Sequence, residues 1–447
     1  MSRSRRRRHA LPRLHVLLAV LGFSAGPIAA QGPDAPAPGR TAADDSASRL
    51  DAVVVTGTRI PRIEIEGPLP ISVIEREELL QAGQSSIGDA LRDLPWNSFG
   101  SLADIPNSNT PNLSLPQLRG LGSKYTLTLI DGQRLPGFAS YQGGAAASVA
   151  GIPFGAIDRI EVLRDGASAI YGSDAIGGVI NLVTRRDDTR PQFELQWEQP
   201  DDDGGEAWRA SFAAGHGGPR GHLLVALEAH RREPLLGNQR DYLLENAAVS
   251  QSGNPGSFRR IDPVTGSFRG FFEPDPRCPE RFDSDPRFPS SEQRMLGPNR
   301  FCVFRFRDLN MERAGFDARS VFLSGRHELG DRLTGFARVL GIDAEGLTQS
   351  APSPVIGLRL AADNPNNPTL GERGPGLGWP LLLSYRLSAL GPRVTTVDER
   401  SWHLLAGVEG LLDWGAGGDW QLALFHNRYD SRADGIAGCV TECGNSP

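Results

Sequence analysis

The apolar positions of this chain follow two different periods, and the change falls near Arg186. Before it, short runs of mixed period predict small elements. Ile71 to Ile74 predicts a strand and Glu75 to Gln81 a short helix with acidic residues near its start, while Gly83 stands where a helix C-terminus asks for left-handed geometry. Ser86, with Asp89 three residues on, predicts the cap of a second helix. Its apolar face is Ile87, Ala90, Leu91 and Leu94, and Pro95 stops it. Thr126 to Ile130 predicts a strand turned back at Asp131-Gly132. Asp158 to Leu163 and Gly178 to Thr184 predict two more strands around a glycine-rich connection. Short helices mixed with strands predict a small α+β domain.

After Arg186 the pattern alternates with period two. In Gln192 to Gln199, Phe193, Leu195 and Trp197 fall on one face and Glu194, Gln196 and Glu198 on the other. Similar strands are predicted at 207–214, 221–232, 316–327, 333–344, 400–412 and 419–430, giving seven in all. The turns Gly217 to Arg220, Leu329 to Arg332 and Gly415 to Gly418 are short, whereas the connections 233–315 and 346–399 are long. Short turns on one rim and long loops on the other suit a transmembrane β-barrel with lipid outside and water inside. On strand pattern alone a soluble β-sandwich with long insertions stays open. A bacterial barrel closes with an even number of strands, so seven predict an incomplete antiparallel barrel whose C-terminal strands are absent from these 447 residues. An open sheet in lipid would leave backbone groups unpaired at several kcal/mol each.

The N-terminus changes the setting. Arg3 to Arg8 form a cationic segment, Leu14 to Phe23 an apolar one, and Ala29-Ala30 precede Gln31, which predicts an export signal over residues 1–30. No other stretch offers the long apolar run of a helical membrane span. Residues 31–50, rich in Ala, Pro, Gly and Asp, predict a flexible linker. Asp51-Ala52-Val53-Val54-Val55 then forms a β-prone run, either an unpaired strand waiting for a sheet edge or the first strand of the next domain. In an exported chain the four cysteines, Cys278 with Cys302 and Cys439 with Cys443, favour two loop disulfides over a zinc site built from distant loops.

A net charge of −6, with the basic residues dispersed outside the N-terminus, argues against a nucleic-acid partner. No catalytic constellation emerges. Ser168 in Gly166-Ala167-Ser168-Ala169-Ile170 lacks the closing glycine of a nucleophile elbow, and Ser173 lacks the pattern altogether. Gly120-Leu121-Gly122 has Tyr125 where a dinucleotide fingerprint needs its third glycine. The histidines are scattered without ligand spacing, and Asp201-Asp202-Asp203 reads as a solvated loop, with calcium the alternative. Neither an enzyme, a cofactor nor a metal site is expected.

Four motifs carry a family resemblance: Gln117-Leu118-Arg119-Gly120-Leu121-Gly122; Leu127-Thr128-Leu129-Ile130-Asp131-Gly132-Gln133-Arg134-Leu135; Ile157-Asp158-Arg159-Ile160-Glu161-Val162-Leu163-Arg164-Asp165-Gly166; and Ala169-Ile170-Tyr171-Gly172-Ser173-Asp174-Ala175-Ile176-Gly177-Gly178-Val179-Ile180-Asn181. Their order and spacing resemble the plug of TonB-dependent outer-membrane receptors. The resemblance covers the plug fully and the barrel only in style. It implies a plug with its TonB box over residues 51–186 and the N-terminal part of a barrel of about 22 strands over residues 187–447. The Asp51 to Val55 run would be the TonB box, adding a strand to TonB, which is driven by an inner-membrane energising complex. The other partners implied are outer-membrane lipid and a small ligand such as a ferric siderophore, cobalamin or a carbohydrate.

By the same resemblance Arg119 and Arg159 would pair with glutamates of the barrel wall and hold the plug. The loops Asn97 to Pro116 and Phe138 to Gln142, with Asn97, Phe138 and Tyr141, would face the ligand. The chain departs from the family at Trp96, where many plugs have glycine, and it lacks the C-terminal aromatic strand. The rival reading is a non-transporting fragment or plug interaction module from a truncated or split gene.

Overall fold

The computed structural model describes residues 71–84, 86–97, 112–141, 144–186, 190–245, 249–412 and 418–436. The segments expected to be an export signal and a linker, the Asp51 to Val55 run and the Cys439, Cys443 pair lie outside the described residues.

The first domain is a mixed sheet with two short helices. Its strands are β1 (Ile71–Glu75), β2 (Thr126–Ile130), β3 (Gln133–Arg134), β6 (Ile157–Leu163) and β7 (Gly178–Thr184), and a separate ribbon pairs β4 (Phe138–Tyr141) with β5 (Gly144–Ala146). The sheet order is β1-β6-β7-β2-β3, with β2 and β7 parallel and the other pairs antiparallel. Helix α1 (Arg76–Gln81) ends before Gly83, whose φ is +70°, as expected of a glycine after a helix. Helix α2 (Ile87–Arg92) is capped as its sequence predicts, with the Asp89 N–H donating to Ser86 Oγ at 3.1 Å. Asp131 (φ +49°) and Gly132 (φ +75°) turn β2 into β3 in the left-handed pair that a two-residue hairpin requires. Asp131 is held there by the Thr184 N–H and hydroxyl at 3.0 and 2.8 Å.

Alternation divides the sheet's side chains between two cores. Ile160, Val162, Ile180 and Leu182 face one way, with Ile87 and Leu91 of α2, while Leu127, Leu129 and Val179 face the other. The first core does not end with this domain. It continues into Ala213, Leu224, Ala226, Phe322 and Leu340, which belong to a second sheet.

That second sheet is a wall of seven antiparallel strands: β8 (Gln192–Glu198), β9 (Ala207–Gly218), β10 (Gly221–Arg232), β17 (Gly315–Gly330), β18 (Leu333–Ser350), β21 (Arg393–Leu412) and β22 (Gly418–Ile436). They neighbour one another in sequence order, and the sheet is not closed. Alternation sets its two faces. Phe193, Leu195 and Trp197 are 71, 66 and 67% exposed on the outer face, whereas Arg209, Ala213, Leu224 and Phe322 are buried on the inner one. No helix among the described residues is long and apolar enough to cross a membrane.

The structure corrects the sequence reading at the rim of long connections. Three of the strands run further there than alternation indicates, with β18 reaching Ser350, β21 starting at Arg393 and β22 reaching Ile436. The connections themselves fold. The short strand β11 (Leu235–Leu236) pairs with β16 (Met311–Arg313). Strands β12 (Ser257–Ile261) and β13 (Phe268–Pro274) from one connection join β19 (Pro354–Leu360) and β20 (Leu381–Arg386) from the other in one four-stranded sheet. The hairpin β14 (Ser291–Leu296) with β15 (Asn299–Phe304) packs beside it, and the Cys278–Cys302 disulfide closes that lobe. Two connections separated by the whole β17–β18 hairpin of the wall share one sheet, a pairing no local pattern announces.

Candidate functional site

The mixed sheet sits on the inner face of the wall, and its most elaborate contact is the turn between Pro153 and Ile157. Gly155 and Ala156 are small enough to let that turn lie flat on β9: a Cβ on Gly155 would stand 2.5 Å from Ser211 Oγ. Phe154 is 1% exposed, with the Arg209 guanidinium 4.3 Å from its ring centroid and that of Arg76 at 5.4 Å. Its N–H donates to Glu228 at 2.8 Å and its carbonyl accepts from Arg76 at 2.8 Å. Arg76 reaches Glu194 on the wall at 3.2 Å, and Glu194 holds Arg209 at 2.6 Å. Ions on both sides of the seam thus close a circuit around one aromatic ring.

Further contacts fasten the mixed-sheet domain elsewhere. Arg338 of β18 donates to the Ile130 carbonyl at 2.6 Å, Gln133 bonds Gln421 of β22 at 2.7 Å, and Asn112 bonds Glu399 of β21. Asp89 of α2, 7% exposed, takes Arg92 at 2.8 Å from its own helix and Arg313 at 3.3 Å. Burial alone would raise its pKa, but Arg313, Arg232 and Arg92 together outweigh that and hold the carboxyl well below the usual carboxylate range. A depressed folded-state pKa contributes stability that is present above the unfolded value of about 4 and is lost as pH falls through the folded one. Asp89→Asn should therefore cost about 2 kcal/mol at neutral pH in chemical denaturation, with the gap to the parent closing in acid. A gap constant from pH 7 down to pH 2 or so would refute the assignment.

The structure places the residues expected from sequence as follows. Arg119, with φ +58°, lies half-exposed and 3.7 Å from Asp165, and Arg159 pairs with Glu161 at 2.9 Å and Asp158 at 3.3 Å. Both are thus held by acids of their own domain. Asn97 is 6% exposed: its amide donates to the Leu91 carbonyl at 2.8 Å and accepts the Gln117 N–H at 2.9 Å, so it ties the end of α2 to the chain at Gln117. Phe138 and Tyr141 begin and end β4. Of the expected disulfides, Cys278–Cys302 is formed. Sequence reading missed Phe154, Arg209, Glu228, Asp89 and Arg313. A signal existed for two of them, because Arg209 and Glu228 are charges at strand positions that alternation assigns to the inner face.

The class of structure is thus a mixed-sheet domain seated on the inner face of an open antiparallel wall. Residues 64–179 match the family described as TonB-dependent Receptor Plug Domain. The chain therefore carries a TonB-dependent receptor plug domain. Over 151 residues it is 38% identical to the iron-regulated outer membrane virulence protein of Vibrio cholerae serotype O1, an alignment covering 32% of this chain and 22% of that relative. Among solved structures it is similar to the siderophore receptor PiuA of Acinetobacter baumannii, at 16% identity, 87% of this chain, 49% of that one and TM-score 0.41. BauA, the ferric preacinetobactin receptor of the same organism, gives 12%, 83%, 48% and 0.41. The chain thus matches about a fifth of the length of the curated relative and about half that of the solved ones.

Proposed function

We propose that the chain acts as the plug and first wall strands of an outer-membrane receptor that imports an iron chelate, with energy delivered by TonB. The observation that carries this reading is the plug match over residues 64–179 on a domain seated against an amphipathic wall. The iron ligand is favoured over cobalamin or a carbohydrate by the name of the Vibrio cholerae relative, an iron-regulated protein. The roles follow from the sequence. Residues 1–30 direct export, and Asp51 to Val55 add a strand to TonB's sheet edge through main-chain hydrogen bonds. Arg119 and Arg159 pair with glutamates of the barrel wall and hold the plug, and the loops beginning at Asn97 and Phe138 meet the ligand.

The test is uptake of radiolabelled ferric chelate by iron-starved cells with and without the gene, with cobalamin and maltodextrin as parallel arms. Deletion should remove chelate uptake, and Val54→Pro should remove it while leaving chelate binding to the cell surface, because proline deletes one ladder donor and clashes in the added strand. If deletion changes none of the three uptakes, the transport reading falls. If it changes only cobalamin or maltodextrin uptake, the iron assignment falls alone.

A further inference from the structure

The plug's contacts with the wall differ in kind. At Ile130, Gln133 and Asn112 one hydrogen bond joins the two parts, and each can break alone. At Phe154 the groups are mutually dependent. Moving the turn out would bare Arg209, break the Phe154 N–H bond to Glu228, and take the Phe154 carbonyl from Arg76, the guanidinium that also reaches Glu194. Buried charges left half-paired are costly, so these contacts release together or not at all. The seam continues on both sides of the ring. A Cβ on Gly151 would stand 2.8 Å from Ile342 of β18, and the Arg185 N–H closes the turn onto the Ala156 carbonyl at 3.0 Å. By contrast Leu121, Ile170 and Ile176 of the same domain are exposed, with no described wall strand over them.

We infer that the Pro153–Ile157 turn is a permanent anchor: it stays on β8, β9 and β10 through the whole transport cycle, and the rearrangement that clears a path runs through the parts of the plug held by single contacts. Phe154, Arg209 and Glu228 are its positioning residues. The plug is therefore remodelled in place and does not leave the wall as a body. This rests on the transport reading for its role in the cycle, but the anchor itself does not.

Two measurements decide it. A Cβ on Gly155 would lie 3.8 Å from Ser211 Cβ, the separation found in a disulfide, so Gly155→Cys with Ser211→Cys can lock the seam covalently in the receptor in its membrane. Ferric-chelate uptake by the oxidised double variant should equal that of the same cells after reduction with dithiothreitol. Loss of uptake on oxidation, restored by reduction, would overturn the anchor. The second measurement needs no transport. In hydrogen exchange on the purified receptor, the Phe154 amide should be among the slowest of the plug, and Phe154→Ala should speed exchange at Phe154 and Ala156 by ~100-fold. Exchange at Phe154 as fast as at exposed Ile170 would overturn the anchor even if the parent protein carries no ligand at all.

Discussion

Gly178→Ala should unravel the plug sheet while leaving the wall folded. Gly178 opens β7 at φ +136°, and a Cβ there would stand 2.5 Å from the Leu163 carbonyl oxygen and 2.7 Å from Leu118 Cδ1. Neither neighbour can yield. Leu163 is locked in register with Val179, the next residue along, and Leu118 is buried in the core that faces the wall. Overpacking of this kind costs about 1–3 kcal/mol, and forcing a side chain into that backbone region adds about 1–2 kcal/mol. Together these take a large part of a stability margin of roughly 5–15 kcal/mol. The readout is hydrogen exchange by segment: protection should fall in β6 and β7 and persist in β17 and β18. Gly83→Ala supplies the control, because Gly83 has φ +70° but nothing within 4 Å of its Cβ. Equal losses in the two variants would show that crowding at Gly178 is not what demands glycine.

Arg209→Leu should be the most damaging single change in the wall, about 3–5 kcal/mol. The guanidinium is 1% exposed, holds Glu194 at 2.6 Å and Gln196 at 3.0 Å, and covers the Phe154 ring. Leucine keeps much of the packing and removes the charge, so Glu194 keeps Arg76 as its partner while Glu228 loses the Arg209 charge beside it. Buried carboxylates without compensation cost more than the lost ion pair itself. Adding Glu228→Gln should restore part of the loss, since glutamine keeps an oxygen for the Phe154 N–H and carries no charge. Denaturant unfolding of the single and double variants checks this, and a double variant worse than Arg209→Leu alone would contradict the charge argument.

Much of the fold was legible. The cap at Ser86, the turn at Asp131-Gly132 and the strands near 126, 158 and 178 were visible because each is decided within a few residues by hydrogen bonding or backbone geometry. The seven wall strands were legible because a sheet with one apolar and one polar face writes its period into the sequence. Strand ends were read short at Ser350 and Arg393, where β18 and β21 run on into the folded connection and the clean alternation stops. The candidate site was much less visible. Phe154 and Glu228 lie 74 residues apart, Asp89 and Arg313 lie 224 apart, and nothing local to any of them marks a partner.

By itself, then, the sequence determined the local elements, the two faces of the wall and the kind of domain that precedes it, since all of these follow from short-range periodicity, capping and motif spacing. The tertiary structure alone decided that the plug's core runs on into the wall, that two distant connections share one sheet, and that Phe154, not Arg119 or Arg159, sits at the centre of the charged seam between the plug and the described wall. The reason is physical. A charge on the inner face of a strand is a cost until its partner arrives, and which partner arrives is settled only when the chain has closed loops of tens to hundreds of residues.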